Sequence, residues 1–247
     1  MAQKTCLQIV RTVAPRLGIS TQNTATGSTD LQVQQLLAFV NQEGQELAAR
    51  YDWQSLIRHA SFVTTAAQSQ GKLKDIIVAS AGANVQCRKI LNSTLWNTTK
   101  RTKVCGPLSA PDWNLATASV TATGPWSEYR LRGGYLLMYP APDDGDTVEF
   151  DFITDNWVSS SDGFYVYTAF NADTDVCELD ARLIELGTMW RWKAAKGLEY
   201  SQDFQNYENA VLDAMAGDKT GGIVRMDFNA NENGYPFAVV PRSDWLQ

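Results

Sequence analysis

A chain of 247 residues is long enough to bury a substantial core without metals or disulfides. Hydrophobic residues at 44% against 19% charged exclude a disordered tail or a membrane protein by bulk composition. The formal net charge of −6 argues against a dedicated binder of nucleic acid or anionic membranes.

The opening residues Met1-Ala2-Gln3-Lys4-Thr5-Cys6-Leu7 lack the apolar core of a secretory signal. No run of about 18 apolar residues marks a membrane span, so the expected setting is a reducing cytoplasm. Leu7, Val10 and Ala14 share one helical face before Pro15 and Gly18 interrupt it. Ser28, Thr29 and Asp30 then offer N-caps to a long amphipathic helix whose stripe is Val33, Leu36, Leu37, Val40, Leu47, Ala48 and Tyr51. Gly44 falls on that stripe, where glycine costs about 1 kcal/mol relative to alanine unless another backbone must come close.

From Ser61 to about Val176 the period changes to short β-rich runs between turns. The clearest hairpin joins Trp126–Arg132 to Tyr135–Tyr139 through Gly133-Gly134. Val148, Phe150 and Phe152 alternate with Glu149 and Asp151, the pattern of a half-buried strand. Asp162-Gly163 turns into Phe164-Tyr165-Val166-Tyr167. Helical spacing returns at Asp180 with Leu183, Leu186, Trp190, Ala194 and Leu198 on one face, and Phe204, Tyr207, Val211 and Met215 continue beyond Gly197. Trp190 is expected to be buried between helices. The fold class is read as α+β. Residues 1–60 and 178–216 form one discontinuous helical bundle, residues 61–177 an inserted antiparallel β domain, and residues 217–247 an extended C-terminal arm.

His59 is the only histidine and no Gly-x-Ser-x-Gly elbow accompanies it, so triad chemistry finds no support and a two-histidine metal site is excluded. Cys6, Cys87, Cys105 and Cys177 lack Cys-x-x-Cys spacing and read as buried free thiols. Asp143, Asp144, Asp146, Asp173, Asp175, Glu178 and Asp180 contain enough carboxylates for glycoside hydrolysis, yet turn chemistry and a helix N-terminus account for them. Neither a Walker loop nor Gly-x-Gly-x-x-Gly is present. No cofactor and no catalysis are expected.

Charge is unevenly placed: seven bases face one acid between Lys72 and Cys105, and twelve acids face one base between Ala141 and Glu185. Adjacent copies of the chain could meet through these opposite faces. Arg88, Lys89, Lys100, Arg101 and Lys103 are therefore candidates for an inter-subunit basic surface. The arm is too apolar for a solvated tail, and Ile223, Val224, Met226, Phe228, Tyr235, Phe237 and Trp245 are candidates for a portal or neighbour contact.

One family presents the same order of segments. Arg50-Tyr51-Asp52-Trp53-Gln54-Ser55-Leu56-Ile57 closes a helical pair and Ala60-Ser61-Phe62-Val63-Thr64-Thr65 follows. Gly134-Tyr135-Leu136-Leu137-Met138-Tyr139-Pro140-Ala141-Pro142 comes later, and Asp173-Thr174-Asp175 leads into the helix through Leu183-Ile184-Glu185-Leu186-Gly187-Thr188-Met189-Trp190. Over about residues 30–215 the chain resembles the head-to-tail adaptor, or tail tubular protein A, family of short-tailed bacteriophages. The resemblance implies a virion neck protein, assembled in the host cytoplasm as a ring of about twelve copies beneath the portal. It further implies a downstream tail or nozzle protein as partner, genomic DNA passing through the lumen without sequence-specific binding, and no membrane. Competing readings are a cell-wall-degrading tail accessory protein and a carbohydrate-binding module.

Overall fold

The computed structural model describes residues 3–20, 23–118 and 127–218. Helix α1 (Cys6–Val13) begins with a capping box in which Thr5 and Gln8 satisfy each other's backbone N–H groups. Its buried side is Cys6, Ile9, Val10 and Val13. A short 3-10 turn, Ala14–Leu17, ends at Gly18 in the left-handed region. Helix α2 (Leu31–Arg50) is capped by Asp30, whose carboxylate accepts from the Gln32 N–H. Two further helices close the described chain, α5 (Ala181–Ala195), capped by Asp180, and α6 (Ser201–Asp218).

Among the described residues, eleven strands and two α-helices lie between α2 and α5. The larger sheet runs β1 (Ile57–Val63), β8 (Thr147–Thr154), β4 (Trp96–Asn97), β5 (Thr102–Cys105), β6 (Ser127–Arg132), β7 (Tyr135–Tyr139), β2 (Ser69–Lys72), with β3 (Cys87–Ile90) also paired to β8. Strands β1 and β8 pair along their length, from Ile57 opposite Ile153 to Val63 opposite Thr147. That register sends Val148, Phe150 and Phe152 inward and leaves Glu149 and Asp151 on the wet face. The β6–β7 hairpin turns on Gly133 and Gly134, both at positive φ, as a two-residue primed turn requires. A second, three-stranded sheet has the order β10 (Val166–Tyr167), β9 (Val158–Ser159), β11 (Val176–Cys177).

Two buried clusters result. One joins α1, α2, α5 and α6, and it takes in Ile153, Trp157, Val158 and Phe170 from the strand-rich segment. The other lies under the large sheet and contains Ala60, Ile77, Leu95, Val104, Tyr129, Met138, Phe150 and Phe152.

Gly44 sits where the Trp157 ring packs on α2, and a Cβ there would fall well inside the contact distance of that ring. A side chain, and not the backbone expected from the sequence, makes this close approach. Trp157 is fully buried and donates its indole N–H to the Thr168 carbonyl at 2.7 Å. Gly187 plays the equivalent part on α5, where a Cβ would collide with the carboxyl of buried Glu43.

Three expectations are corrected. The inserted sheet is mixed, because β5 and β6 run parallel. The strand-rich region also holds two helices, α3 (Leu73–Ala81) and α4 (Ala110–Ala118). On α5 the buried face is Leu183, Ile184, Gly187, Thr188 and Trp192, so Trp190 is only half-buried and Trp192 is the core tryptophan. The α+β class stands; of the arm of residues 217–247, Gly217 and Asp218 belong to the end of α6, and residues 219–247 lie outside the described residues.

Gly44→Ala tests the contact with Trp157. Helix propensity alone favours alanine by about 1 kcal/mol, whereas overpacking a filled core costs about 1–3 kcal/mol. Urea unfolding is expected to show net destabilisation, and a variant more stable than the parent would remove Trp157 from its place on α2.

Candidate assembly surfaces

The acid-rich stretch is engaged in holding backbone. Asp173 accepts from the N–H groups of Ala25 and Thr26 and from the Thr26 hydroxyl, at 2.7–3.1 Å. Buried Asp175 accepts from the N–H groups of Asn171 and Ala172, and Asp180 caps α5. Asp146, also buried, takes the Asn97 amide at 2.9 Å and the Lys100 ammonium at 3.2 Å. The candidate carboxylates are thus dispersed. Among the described residues no group of three or more His, Cys, Asp or Glu is placed to hold a metal.

Three of the basic candidates, Arg88, Lys89 and Lys100, are similarly occupied within the chain. On β3, Arg88 donates to the Ala48 and Tyr51 carbonyls and to Asp52, and lies 3.9 Å from Asp155. Lys89 pairs with Asp52 at 2.5 Å. Cations at the last turn of a helix meet its unpaired carbonyls and the negative end of its dipole, so these two residues tie the strand-rich region to the end of α2. Lys100 pairs with Asp143 at 2.7 Å, and that hydrogen bond, with the one to Asp146, pushes its ammonium pKa up. The oppositely charged stretches therefore meet inside one subunit. Lys103 stands beside Trp96 in the β4–β5 register. Arg101 is exposed and enters no ion pair among the described residues. The arm candidates Ile223, Val224, Met226, Phe228, Tyr235, Phe237 and Trp245 lie outside the described residues.

At the helix crossing, Arg191 donates to Glu43 at 2.6 Å and to Glu46 at 2.5 Å, and its guanidinium lies 4.5 Å from the Trp190 ring centre. Burial pushes the Glu43 carboxyl up, while Tyr207 and Arg191 beside it pull the other way. Arg50 and Glu208 pair in a two-pronged contact between α2 and α6. Glu46, Arg50, Arg191 and Glu208 line a cleft of about 470 Å³ with Trp190, Phe204 and Tyr207. Every charge in it is already matched by a neighbour.

Two features escape a sequence reading. His59 lies on the outer face of the large sheet, its Nδ1 3.0 Å from Asp151 and its Nε2 3.9 Å from Glu149. With Trp96 and Arg101 these residues line a groove of about 420 Å³. Register alone would have placed Glu149 beside Trp96, but the pairing of β4 with β8 is not local. The second feature is Phe164 and Tyr165, expected within a strand and found on the turn before β10, where they are 86% and 57% exposed.

Burial pushes the Cys6 thiol up to about 12 and the Cys87 thiol up to about 11, and raises that of Cys177 as well. All four cysteines are free, and these three are poor thiolates at neutral pH. No helix among the described residues is long and apolar enough to cross a membrane.

Large apolar side chains left in water side by side, as Phe164 and Tyr165 are, can mark a surface that meets another protein. The SU10 adaptor protein family matches residues 4–231. The chain belongs to that family and is a structural adaptor protein of a bacteriophage. No curated protein matches it. The family match establishes the adaptor class, and the narrower likeness to tail tubular protein A rests on the sequence resemblance alone.

Two outcomes check this account. Arg50 beside it holds the Glu208 carboxyl below the usual carboxylate range, so the unfolded chain binds that proton more tightly. The bridge contributes fully above the ordinary glutamate pKa of about 4.3 and is lost as pH falls through the lowered folded value. Glu208→Gln should lower the melting temperature at pH 7 and leave a smaller further loss between pH 5 and 3; an unchanged acid profile would contradict the linkage. Alkylation at pH 8 should label Cys6 and Cys177 only on unfolding, and rapid labelling of either in the native protein would place it outside the core.

Proposed function

We propose that this adaptor assembles as a ring of about twelve copies beneath the portal, forming a platform for tail attachment with genome DNA passing through its lumen. In this reading the helices of residues 1–60 and 178–216 form the bundle body, and residues 61–177 the projecting domain. The arm from residue 217 onward supplies the portal or neighbour contact. The downstream partner is a tail or nozzle protein, and assembly takes place in the host cytoplasm. The observation that carries the proposal is the family match over residues 4–231. The geometry supports it: the acids that a hydrolytic reading needs are engaged with backbone N–H groups, Asn97 and Lys100.

A closed ring built from one chain uses two different surfaces per subunit, and contact with passing DNA stays weak where cations are matched internally. Electron microscopy of the protein mixed with its cognate portal tests the assignment. Rings coaxial with the portal are expected; monomers that ignore the portal at micromolar concentration would contradict it.

A further inference from the structure

Helix α6 is held by polar contacts more than by apolar burial. Seven of the fifteen residues of α5 are buried, against two of the eighteen of α6, Tyr207 and Val211. Ala210, Ala214 and Met215 add part-buried contacts, and Phe204 and Tyr207 pack on the Trp190 ring. A cleft of about 470 Å³ stays open between α6 and its seat on α2 and α5. What fixes the position of α6 is a row of acids set against donors of that seat. Asp203 takes the Lys193 ammonium, Glu208 the Arg50 guanidinium, and Asp218 the Gln54 N–H at 2.9 Å. Tyr207 lies beside Glu43.

The connection from α5 can open without undoing either helix. Gly197 N–H meets the Ala194 carbonyl at 3.1 Å and Leu198 N–H the Lys193 carbonyl at 2.9 Å, so α5 is closed off before Glu199. Glu199 in turn accepts from the N–H of Ser201, the first residue of α6, at 3.0 Å. Rotation about the backbone of Glu199 and Tyr200 therefore moves α6 as a unit. Leu198 and Tyr200 on this hinge are 55% and 41% exposed. Apolar side chains left in water there gain cover when two hinges lie side by side.

We propose that in the assembled ring α6 of each copy leaves its own seat and fills the same seat on the next copy, with Glu208 meeting Arg50 and Asp203 meeting Lys193 across the subunit boundary. This rests on the ring reading and deepens it, because seat and helix are the two unlike surfaces that a head-to-tail contact requires. The seat selects its occupant: donors placed for Asp203, Glu208 and Asp218, with room for Tyr207 and Val211 between them, are reproduced in full by the same helix of a second copy. Exchange keeps the contacts of α6 with its seat, so it costs little beyond bringing copies together. Closure of the ring offsets that cost by making the last contact intramolecular. A free subunit, with no neighbour to exchange with, stays closed. The arm follows α6 directly, so the exchange carries it across the subunit boundary as well.

Cross-linking reads the partner of α6 directly in the full chain. With Arg50→Cys and Glu208→Cys in one chain, a short bis-maleimide should close an internal loop in dilute subunits, scored against the parent chain for reaction at the native cysteines. In rings assembled on the portal it should give a ladder of dimers and larger species after denaturation. Internal loops alone in assembled rings overturn the exchange and leave the ring reading intact. Charge reversal gives a second readout by sedimentation velocity. Arg50→Glu and Glu208→Arg, in separate chains, should each raise the concentration needed for assembly by about tenfold. Mixed in equal amounts the two chains should recover assembly, because exchange restores an opposite-charge pair at every seat. A mixture that assembles no better than its parts, while one chain carrying both reversals assembles normally, also overturns the exchange. A parent chain that stays monomeric with and without the portal overturns the ring reading, and the exchange with it.

Discussion

The close crossing of α2 over α5 is the constraint on which the rest of the structure depends. An ordinary side chain at position 187 of α5 would collide with Glu43 of α2, and one at position 44 of α2 would collide with Trp157, from the segment just before β9. Each glycine gives up helix propensity, and each removes the atom that would otherwise hold the elements apart. Through Trp157 the crossing reaches the three-stranded sheet, and through Tyr207, which lies beside Glu43, it reaches α6. Residues from the beginning, middle and end of the described chain consequently share one core. The carboxylate at its centre is stabilised by a guanidinium that is itself largely covered. Removing one member of such a pair leaves an uncompensated charge, which is more damaging than the pair is stabilising.

From this core outward, the acidic stretch acts as an organiser of loops. Asp173 and Asp175 hold Ala25, Thr26, Asn171 and Ala172 beside the start of α1, whose first N–H groups also meet the carbonyls of Asp173 and Asp175. Arg88 then pins β3 to the last turn of α2, and Lys89 pins it to Asp52 just beyond. A net charge counted along sequence loses this information, because a carboxylate on two backbone N–H groups and one in solvent count equally.

The elements with local signals were legible in the sequence. Asp30 and Asp180 cap helices as their positions imply, Gly133-Gly134 turns the hairpin, and Gly44 marked a close approach before its partner could be named. The face of α5 was misjudged because its inward positions include Gly187, Thr188 and Glu185, which a count of apolar residues passes over. Helices α3 and α4 are nine residues each within a strand-rich region, too short for a periodic signal to stand out. The parallel β5–β6 pairing and the meeting of Trp96 with Glu149 are long-range, and no local pattern encodes them. Phe164 and Tyr165 read as strand because aromatic residues suit strands; that they face water is a property of the whole fold.

Native-state hydrogen exchange on Gly187→Ala measures most directly whether the crossing governs the helical core. A Cβ at that position displaces Glu43, and cooperative units open together when the contact that joins them is weakened. The account predicts that amides of α2, α5 and α6 lose protection jointly, along with those of β9, while amides of the β6–β7 hairpin keep theirs. Loss confined to the turn of α5 around residue 187, with α2 and β9 unchanged, would contradict it.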